Sequence, residues 1–268
     1  MKILVTGHRG FIGSHLIERL NRLEIPWEGY DLVDGNDIRD KVKLDAFIEK
    51  GQFDTVIHLA ALAGVRRGED YPQEYFDTNV IGTDNLLRIS KKFGVKKFIA
   101  LSSSSVNGGN PTSVYGASKL AMEHLVKRAE LSHKFLVRPF TVYGERGRKD
   151  QVIFKWVEQC LQGKPLTFYG DGESFRTYVY AGDLVDALIL MLSYHPEKSD
   201  ITFELGGGEK ITLNKVLEVF LDRYPLAQIE RLPFPKCDSH GIEPNIEEAT
   251  KMGWSPKTNF AEKMREII

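Results

Sequence analysis

Residues 2–13, Lys2-Ile-Leu-Val-Thr6-Gly7-His8-Arg9-Gly10-Phe11-Ile12-Gly13, constrain the fold of this 268-residue chain more than any other stretch. A short apolar run breaks into three glycines spaced three apart, and Phe11, Ile12, Leu16, Ile17 and Leu20 then recur at helical intervals. That order reads as a buried strand, a tight turn bare of side chains, and a helix whose first N–H groups stay open. Such an N-terminus offers unpaired donors and the positive end of its dipole to an anion. The glycines allow the sharp turn, the close approach of a pyrophosphate and the packing of helix on strand. Tyr30-Asp31 closes the next apolar segment, eighteen residues beyond Gly13, where an acid can hold the ribose hydroxyls of an adenosine and repel a 2′-phosphate. The reading is a dinucleotide site that takes NAD in preference to NADP.

Composition narrows the partners. The formal net charge is −1, with both signs interspersed, which gives no reason to expect nucleic acid or a membrane surface. Two distant cysteines, Cys160 and Cys237, fit a reducing compartment and no disulfide framework. Met1-Lys2 runs straight into a strand too short for a signal peptide, and no stretch would span a bilayer, so a soluble cytoplasmic protein is expected. His8, His15, His124, His133, His195 and His240 show no metal-ligand spacing with the cysteines, and no metal is expected.

Strand-like runs at Ile3–Val5, Thr55–Leu59, Lys97–Leu101 and Phe135–Val137 alternate with helical patterns at Phe11–Leu23, Pro72–Phe93 and Val114–Leu131. The alternation predicts an α/β fold, a Rossmann-like doubly wound parallel sheet covered on both faces. After Arg138-Pro139 the pattern loosens. Helices at Gln151–Leu161, Asp183–Leu192 and Leu213–Tyr224, a strand at Ile201–Leu205 and two short terminal helices remain. The expected plan is an NAD-binding domain of residues 1–144 and 178–205 with a smaller discontinuous C-terminal substrate lobe of residues 145–177 and 206–268. Ligands of open parallel sheets bind beyond the carboxyl ends of the strands, which here deliver Gly7, Asp31, Leu59-Ala60-Ala61, Ser102–Ser105 and Arg138.

Tyr115 and Lys119 stand four apart, on one face of the helix that begins there. A free tyrosine, with a pKa of ~10, is a poor base at neutral pH. An ammonium and a positively charged nicotinamide beside it favour the phenolate.

With these residues in place, the chain resembles an extended short-chain dehydrogenase/reductase of the nucleotide-sugar epimerase/dehydratase family, nearest its UDP-glucuronate and UDP-glucose 4-epimerase branch. The resemblance runs nearly end to end and rests on motifs in order: Thr6–Gly13, Asp37-Ile-Arg-Asp40, His58-Leu-Ala-Ala-Leu-Ala-Gly-Val-Arg66, Thr78-Asn79-Val-Ile-Gly-Thr83, Ser102-Ser-Ser-Ser-Val106, Tyr115-Gly-Ala-Ser-Lys119 and Arg138-Pro-Phe-Thr-Val-Tyr-Gly144. Tyr169-Gly-Asp-Gly172, Arg176 with Asp183, Gly206-Gly-Gly208 and Gly253-Trp-Ser-Pro256 complete the series.

The resemblance implies roles residue by residue. Ser103, Tyr115 and Lys119 match the catalytic set: a hydroxyl on the substrate oxygen, the general acid/base, and the group that bonds the nicotinamide ribose and tunes the phenol. Gly7, Gly10, Phe11, Ile12, Gly13, Asp31, Leu59, Ala60, Ala61, Asn79 and Ser102 fall on the cofactor side. Asp37 and Ile38 match a pair flanking adenine, although Asp37 also reads as a helix N-cap. Arg176 matches an arginine that clamps the nucleotide diphosphate. Arg66, Ser104, Thr141 and Arg148 fall on the substrate side. A uronic acid needs a cation, for which Arg66, Arg67, Arg146 and Arg148 lie near strand-end loops, and each also reads as a solvated charge. His58 reads as a core or cofactor-contacting histidine, not a base.

The serine cluster discriminates among reactions. Sugar 4,6-dehydratases carry an Asp-Glu pair where this chain has Ser104 and Ser105, and UDP-glucuronate decarboxylases carry a glutamate at the position of Ser105. C4 epimerisation requires neither carboxylate. The sequence also departs from the family: Tyr115 follows Ser103 by only twelve residues, about half the usual interval. Asn107 replaces a tyrosine, and Pro235-Lys-Cys-Asp238 lacks an arginine usual near that aspartate. The expectation is an NAD-dependent 4-epimerase of a UDP-hexose or UDP-hexuronate. A 4-keto nucleotide-sugar reductase using NAD(P)H and a non-catalytic dinucleotide-binding module are the alternatives. Helices within Pro72–Phe93 and Val114–Leu131 resemble those of a family homodimer interface; their apolar faces read equally as packing on the sheet, and both hold if opposite sides are used, so a homodimer is expected.

Overall fold

The computed structural model describes residues 1–109, 111–234 and 241–268. The readings placed on Pro235–Asp238, Cys237 and His240 lie outside the described residues.

Six strands form one parallel sheet: β1 (Ile3–Thr6), β2 (Trp27–Tyr30), β3 (Thr55–His58), β4 (Lys97–Leu101), β5 (His133–Pro139) and β6 (Asp200–Leu205). Their order is β6-β5-β4-β3-β1-β2, so the chain changes direction across the sheet between β1 and β3. Alternation along the strands sends neighbouring side chains to opposite faces. Ile3 and Val5 join Ile57, Ile99, Val137 and Phe203 under helices Phe11–Arg22 and Ala181–Ser193. Leu4 joins Val56, Phe98 and Leu136 beneath helices Lys41–Gly51, Thr83–Lys92 and Val114–Arg128. Both faces are covered, as near-continuous apolar strands require.

Two elements escaped the sequence pattern. β2 is an edge strand in which Tyr30 alone is fully buried, so its apolar signal is slight. Helix Lys41–Gly51 buries Leu44, Ile48 and Gly51 and is capped by Asp40, which accepts from the Lys43 amide. Asp37 is therefore not the cap. The run Pro72–Phe93 is continuous but uneven: α-helix at Pro72–Phe76, a wider π-helical turn at Asp77–Gly82, then α-helix at Thr83–Lys92. Within the wide turn Asn79 is almost fully buried, the Thr83 hydroxyl donates to the Asn79 carbonyl at 2.7 Å, and Gly82 packs on Ile38.

A third apolar cluster, built on Trp156, Phe168, Ile211, Val216, Phe220, Phe260 and Met264, makes a smaller assembly beside the sheet. Short strands serve it: Leu166–Tyr169 pairs with Ile229–Leu232, and Phe175–Arg176 with Ile211–Thr212. Asp183 ties in the C-terminal segment. Its carboxylate accepts from the amides of Lys257 and Thr258, and its carbonyl accepts from the Trp254 indole. Among the described residues no helix is long and apolar enough to cross a membrane, and no cluster of His, Cys, Asp or Glu could hold a metal ion.

Candidate active site

A cavity of about 960 Å³ opens above the carboxyl ends of the strands, between the sheet and the smaller assembly. Its floor is the glycine turn. Gly7 has φ +72°, and a Cβ on it would meet the Ala60 backbone at 2.6 Å; one on Gly13 would overlap the Gly7 carbonyl. The following helix starts at Phe11 with no side-chain cap and no acid in its first turn. An open helix N-terminus above a cradle that tolerates only glycine fits a pyrophosphate.

Gly7, Gly10, Phe11, Ile12, Gly13, Leu59, Ala61, Ser102, Ser103, Ser104, Tyr115, Lys119, Thr141, Arg66, Arg148 and Arg176 all line this cavity. Asp31, Asp37, Ile38, Ala60 and Asn79 do not. Asp31 sits at the end of β2 and accepts from the amides of Arg9 and Val33, at 2.9 and 3.0 Å. Asp37 is forked to Arg39, and the side chain of Ile38 belongs to the core. Asn79 acts from behind: it bonds both the amide and the carbonyl of Leu62 and donates to Ser118 at 3.0 Å, pinning the loop after β3 to the Tyr115 helix.

Ser113 caps that helix by accepting from the Gly116 amide at 3.1 Å, which sets Tyr115 in its first turn. A Cβ on Gly116 would press on Pro111 and the Ser105 carbonyl, so the helix start lies directly against the serine cluster. Ser103 accepts from the Ser105 amide and donates to the Ser105 hydroxyl, both at 3.1 Å. Burial raises the Tyr115 phenol above its ordinary pKa, while the Ser103 hydroxyl and the Arg148 guanidinium pull it down. Lys119 is also buried, which lowers its ammonium to about 8, and its Nζ donates to the Leu101 carbonyl at 2.7 Å. Without a bound cofactor, Ser103 and Arg148 are the groups that draw the Tyr115 phenol down.

The arginines divide sharply. Arg148 is forked to Asp150 at 2.9 Å within the cavity. Arg66 stacks on the Tyr169 ring, 4.8 Å from its centroid, and Arg67 lines the wall over Tyr71. Arg146, with φ +64°, turns away and is forked to Glu18 on the outer face of the glycine-turn helix, so it is no candidate for a substrate cation. His58 bridges Thr6 (2.7 Å) and Thr83 (2.9 Å), and complete burial pushes its pKa down to about 3. It is a neutral core histidine.

Sequence reasoning missed Tyr75 and Asp150. Tyr75 donates to the carbonyls of Ala63 and Gly64 and lies edge-on to Tyr115, with ring centroids 6.2 Å apart. Its place in an amphipathic helix gave only a core signal. Asp150 had one clue, the i,i+2 spacing to Arg148.

Residues 3–206 match the NAD dependent epimerase/dehydratase family. A UDP-glucuronate 4-epimerase of Thermodesulfobacterium geofontis is 34% identical over 254 residues, spanning 87% of this chain and 76% of the relative. The structure superposes on a UDP-glucose 4-epimerase of Thermotoga maritima in complex with UDP-glucose, with a TM-score of 0.90 and 28% identity, covering 100% of this chain and 97% of the other. A UDP-glucuronic acid 4-epimerase of Bacillus cereus in complex with UDP-glucuronic acid and NAD gives a TM-score of 0.88 at 27% identity, covering 100% and 98%. The glycine cradle, the six-stranded sheet and these matches together show that the chain belongs to the NAD-dependent epimerase/dehydratase family, and that NAD is its dinucleotide.

Proposed function

We propose that the protein inverts C4 of a UDP-linked sugar through a transient 4-keto intermediate, and that a hexuronate is its preferred substrate. The observation that carries this reading is the Tyr115 phenol, set against Ser103 and Arg148 in a cavity floored by the glycine turn. Gly7, Gly10, Phe11, Ile12 and Gly13 would hold the NAD pyrophosphate, Asp31 the adenosine ribose and Lys119 the nicotinamide ribose. Bound NAD supplies a reversible hydride acceptor. Tyr115 takes the C4 hydroxyl proton during oxidation and returns it when the ketone is reduced on its other face. Ser103 steadies the oxygen at C4 while its charge changes. Ser104 and Ser105 offer no carboxylate for elimination or decarboxylation.

The uronate preference rests on Arg148. It is a fork-shaped cation beside Tyr115, and a sugar carboxylate would compete with Asp150 for it. Arg176 and Arg66 would engage the diphosphate and nucleotide side. The segments that build the third apolar cluster, within 145–177 and 206–268, serve as the nucleotide-sugar lobe, although Ala249 and Trp254 of the second segment pack in the core of the sheet. Tyr71, Phe76 and Ile81 expose apolar surface on the outer side of their helical run, and we read that face as the contact with a second copy of the chain.

The test is C4 inversion of UDP-glucuronate and UDP-glucose, followed by NMR, in the wild type and in Tyr115→Phe. Inversion by the wild type and a loss of about 10²- to 10⁴-fold in the variant are expected. Full activity in Tyr115→Phe overturns the assignment. Net consumption of reduced nicotinamide with a 4-keto sugar identifies a reductase instead.

A further inference from the structure

One fully partnered charged group near the site is left unused by the reaction above. Glu123 lies one turn beyond Lys119 on the same buried side of the Tyr115 helix, and its side chain is 1% exposed. One carboxylate oxygen accepts from the Ser102 hydroxyl at 2.6 Å and from Arg138 Nε at 2.8 Å. The other accepts from Arg138 Nη2 at 2.7 Å. Arg138 stands near the end of β5, and its Nη1 reaches Asn107 of the short loop and Glu204 of β6, both at 3.4 Å. Glu204 in turn accepts from the Asn245 amide at 2.9 Å.

This arrangement links one stretch of the site, the serine strand end, the loop after it and the catalytic helix, to three parts remote in sequence: Arg138 of β5, Glu204 of β6 and the segment leading to the C-terminal helices. A buried carboxylate is stable only with such complete partnering, and an apolar side chain would fill the same space without the desolvation penalty. Retention of the charge therefore calls for a use. We propose that Glu123 is a positioning residue of the active site: its carboxylate clamps the serine strand end to the helix bearing Tyr115 and Lys119, and sets a negative charge one helical turn from the Lys119 ammonium.

The charges around this pair are few. Lys119 faces the Leu101 carbonyl, neutral His58 and Glu123; Glu123 faces Ser102, Arg138 and, at 3.8 Å, Lys127. Tyr115 faces Ser103, Tyr75 and Arg148, the last paired with Asp150. Burial lowers Lys119, and Glu123 opposes that fall. Neutralising Glu123 removes the opposing charge and leaves Arg138 less compensated. Both changes favour the neutral amine at working pH.

The inference rests on the epimerase reading for its kinetic arm only. Lysine labelled with 13C at Cε, with the Lys119 signal assigned through Lys119→Arg, is titrated by NMR in the wild type and in Glu123→Gln. A downward displacement of the Lys119 midpoint by about one pH unit in Glu123→Gln is expected. Glu123→Asp, which keeps the charge, is expected to restore it. In the kinetic arm, the basic limb of kcat/KM moves down with that midpoint. At the pH optimum kcat falls about tenfold while KM for the UDP-sugar changes little. Arg138→Lys, which keeps the charge balance and breaks the fork, should lower kcat and leave the Lys119 midpoint in place; it carries the test if Glu123→Gln does not fold. An unchanged Lys119 midpoint in Glu123→Gln, or wild-type kcat in Arg138→Lys, overturns the proposal. Absence of any epimerase activity in the wild type would sink the earlier reading and leave the titration to judge this one.

Discussion

Tyr115 and Lys119 share a helical face, yet burial acts on their charged forms so that each resists ionising: the phenol holds its proton and the amine sheds one readily. Arg148 is one of the two groups that draw the phenol down, and it is also the cation on which the proposed uronate preference rests. Replacing it therefore has two separable effects. Arg148→Ala should lower kcat/KM for UDP-glucuronate by about 10- to 100-fold, the loss of one charge-assisted fork, and should affect UDP-glucose less. Equal losses on both substrates, measured by steady-state kinetics, would remove the uronate preference. His58 gives a prediction about stability. Its folded pKa of about 3 lies below the ordinary value of 6.5, so between those values the unfolded chain binds more protons than the folded one. Stability contributed by this group is whole above pH 6.5 and declines as pH falls towards 3, at a limiting slope of about 1.4 kcal/mol per pH unit. Urea unfolding of His58→Asn between pH 7.5 and 5 should show a shallower decline than the wild type.

At the scale of elements, the glycine turn and its helix were legible because local sterics alone demand them. Gly13 lies so near the Gly7 carbonyl that a methyl group has no place. Gly13→Ala should retain the sheet, and the fraction of protein that purifies with NAD, read by chromatography of the nucleotide released on denaturation, should drop severalfold. The helix Ala181–Ser193 ends differently. Lys97 Nζ, from the start of β4, donates to the carbonyls of Met191, Leu192 and Tyr194 at 2.7 to 2.9 Å. A lysine opening a buried strand gives no hint of this, since its partners lie nearly a hundred residues away. Lys97→Met should cost about 2 kcal/mol in denaturant unfolding, because it strips a cationic cap from the helix C-terminus. The edge strand β2 was faint because Tyr30 alone is fully buried in it, whereas helix Lys41–Gly51 carries Leu44, Phe47, Ile48 and Gly51 at helical spacing, a signal that was present and went unread.

Over the whole molecule, the cavity lies between the sheet and the smaller assembly, and polar contacts at residue 145 join the two. The Glu145 carbonyl bonds His15, and its carboxylate meets Tyr180 and Lys263. The outer apolar face at Tyr71, Phe76 and Ile81 carries the dimer reading. Light scattering coupled to size-exclusion chromatography should give twice the chain mass for the wild type and a shift to monomer for Ile81→Asp. A monomeric wild type would refute that surface.

Short-range order came from the sequence by itself: the strand-turn-helix at the glycines, the alternation of strands and helices, and the Tyr115–Lys119 pair on one helical face. Each depends on neighbours within a turn or two, where sterics and periodicity decide. Tertiary structure alone decided what the charges do. Arg146 and Arg148 stand two residues apart, yet one is forked to Glu18 on the outer surface and the other to Asp150 inside the cavity. Glu123 became a hub only when β4, β5 and the catalytic helix converged on it. A charged side chain takes its role from whatever lies within a few ångströms, and in a parallel sheet those partners come from distant segments of the chain.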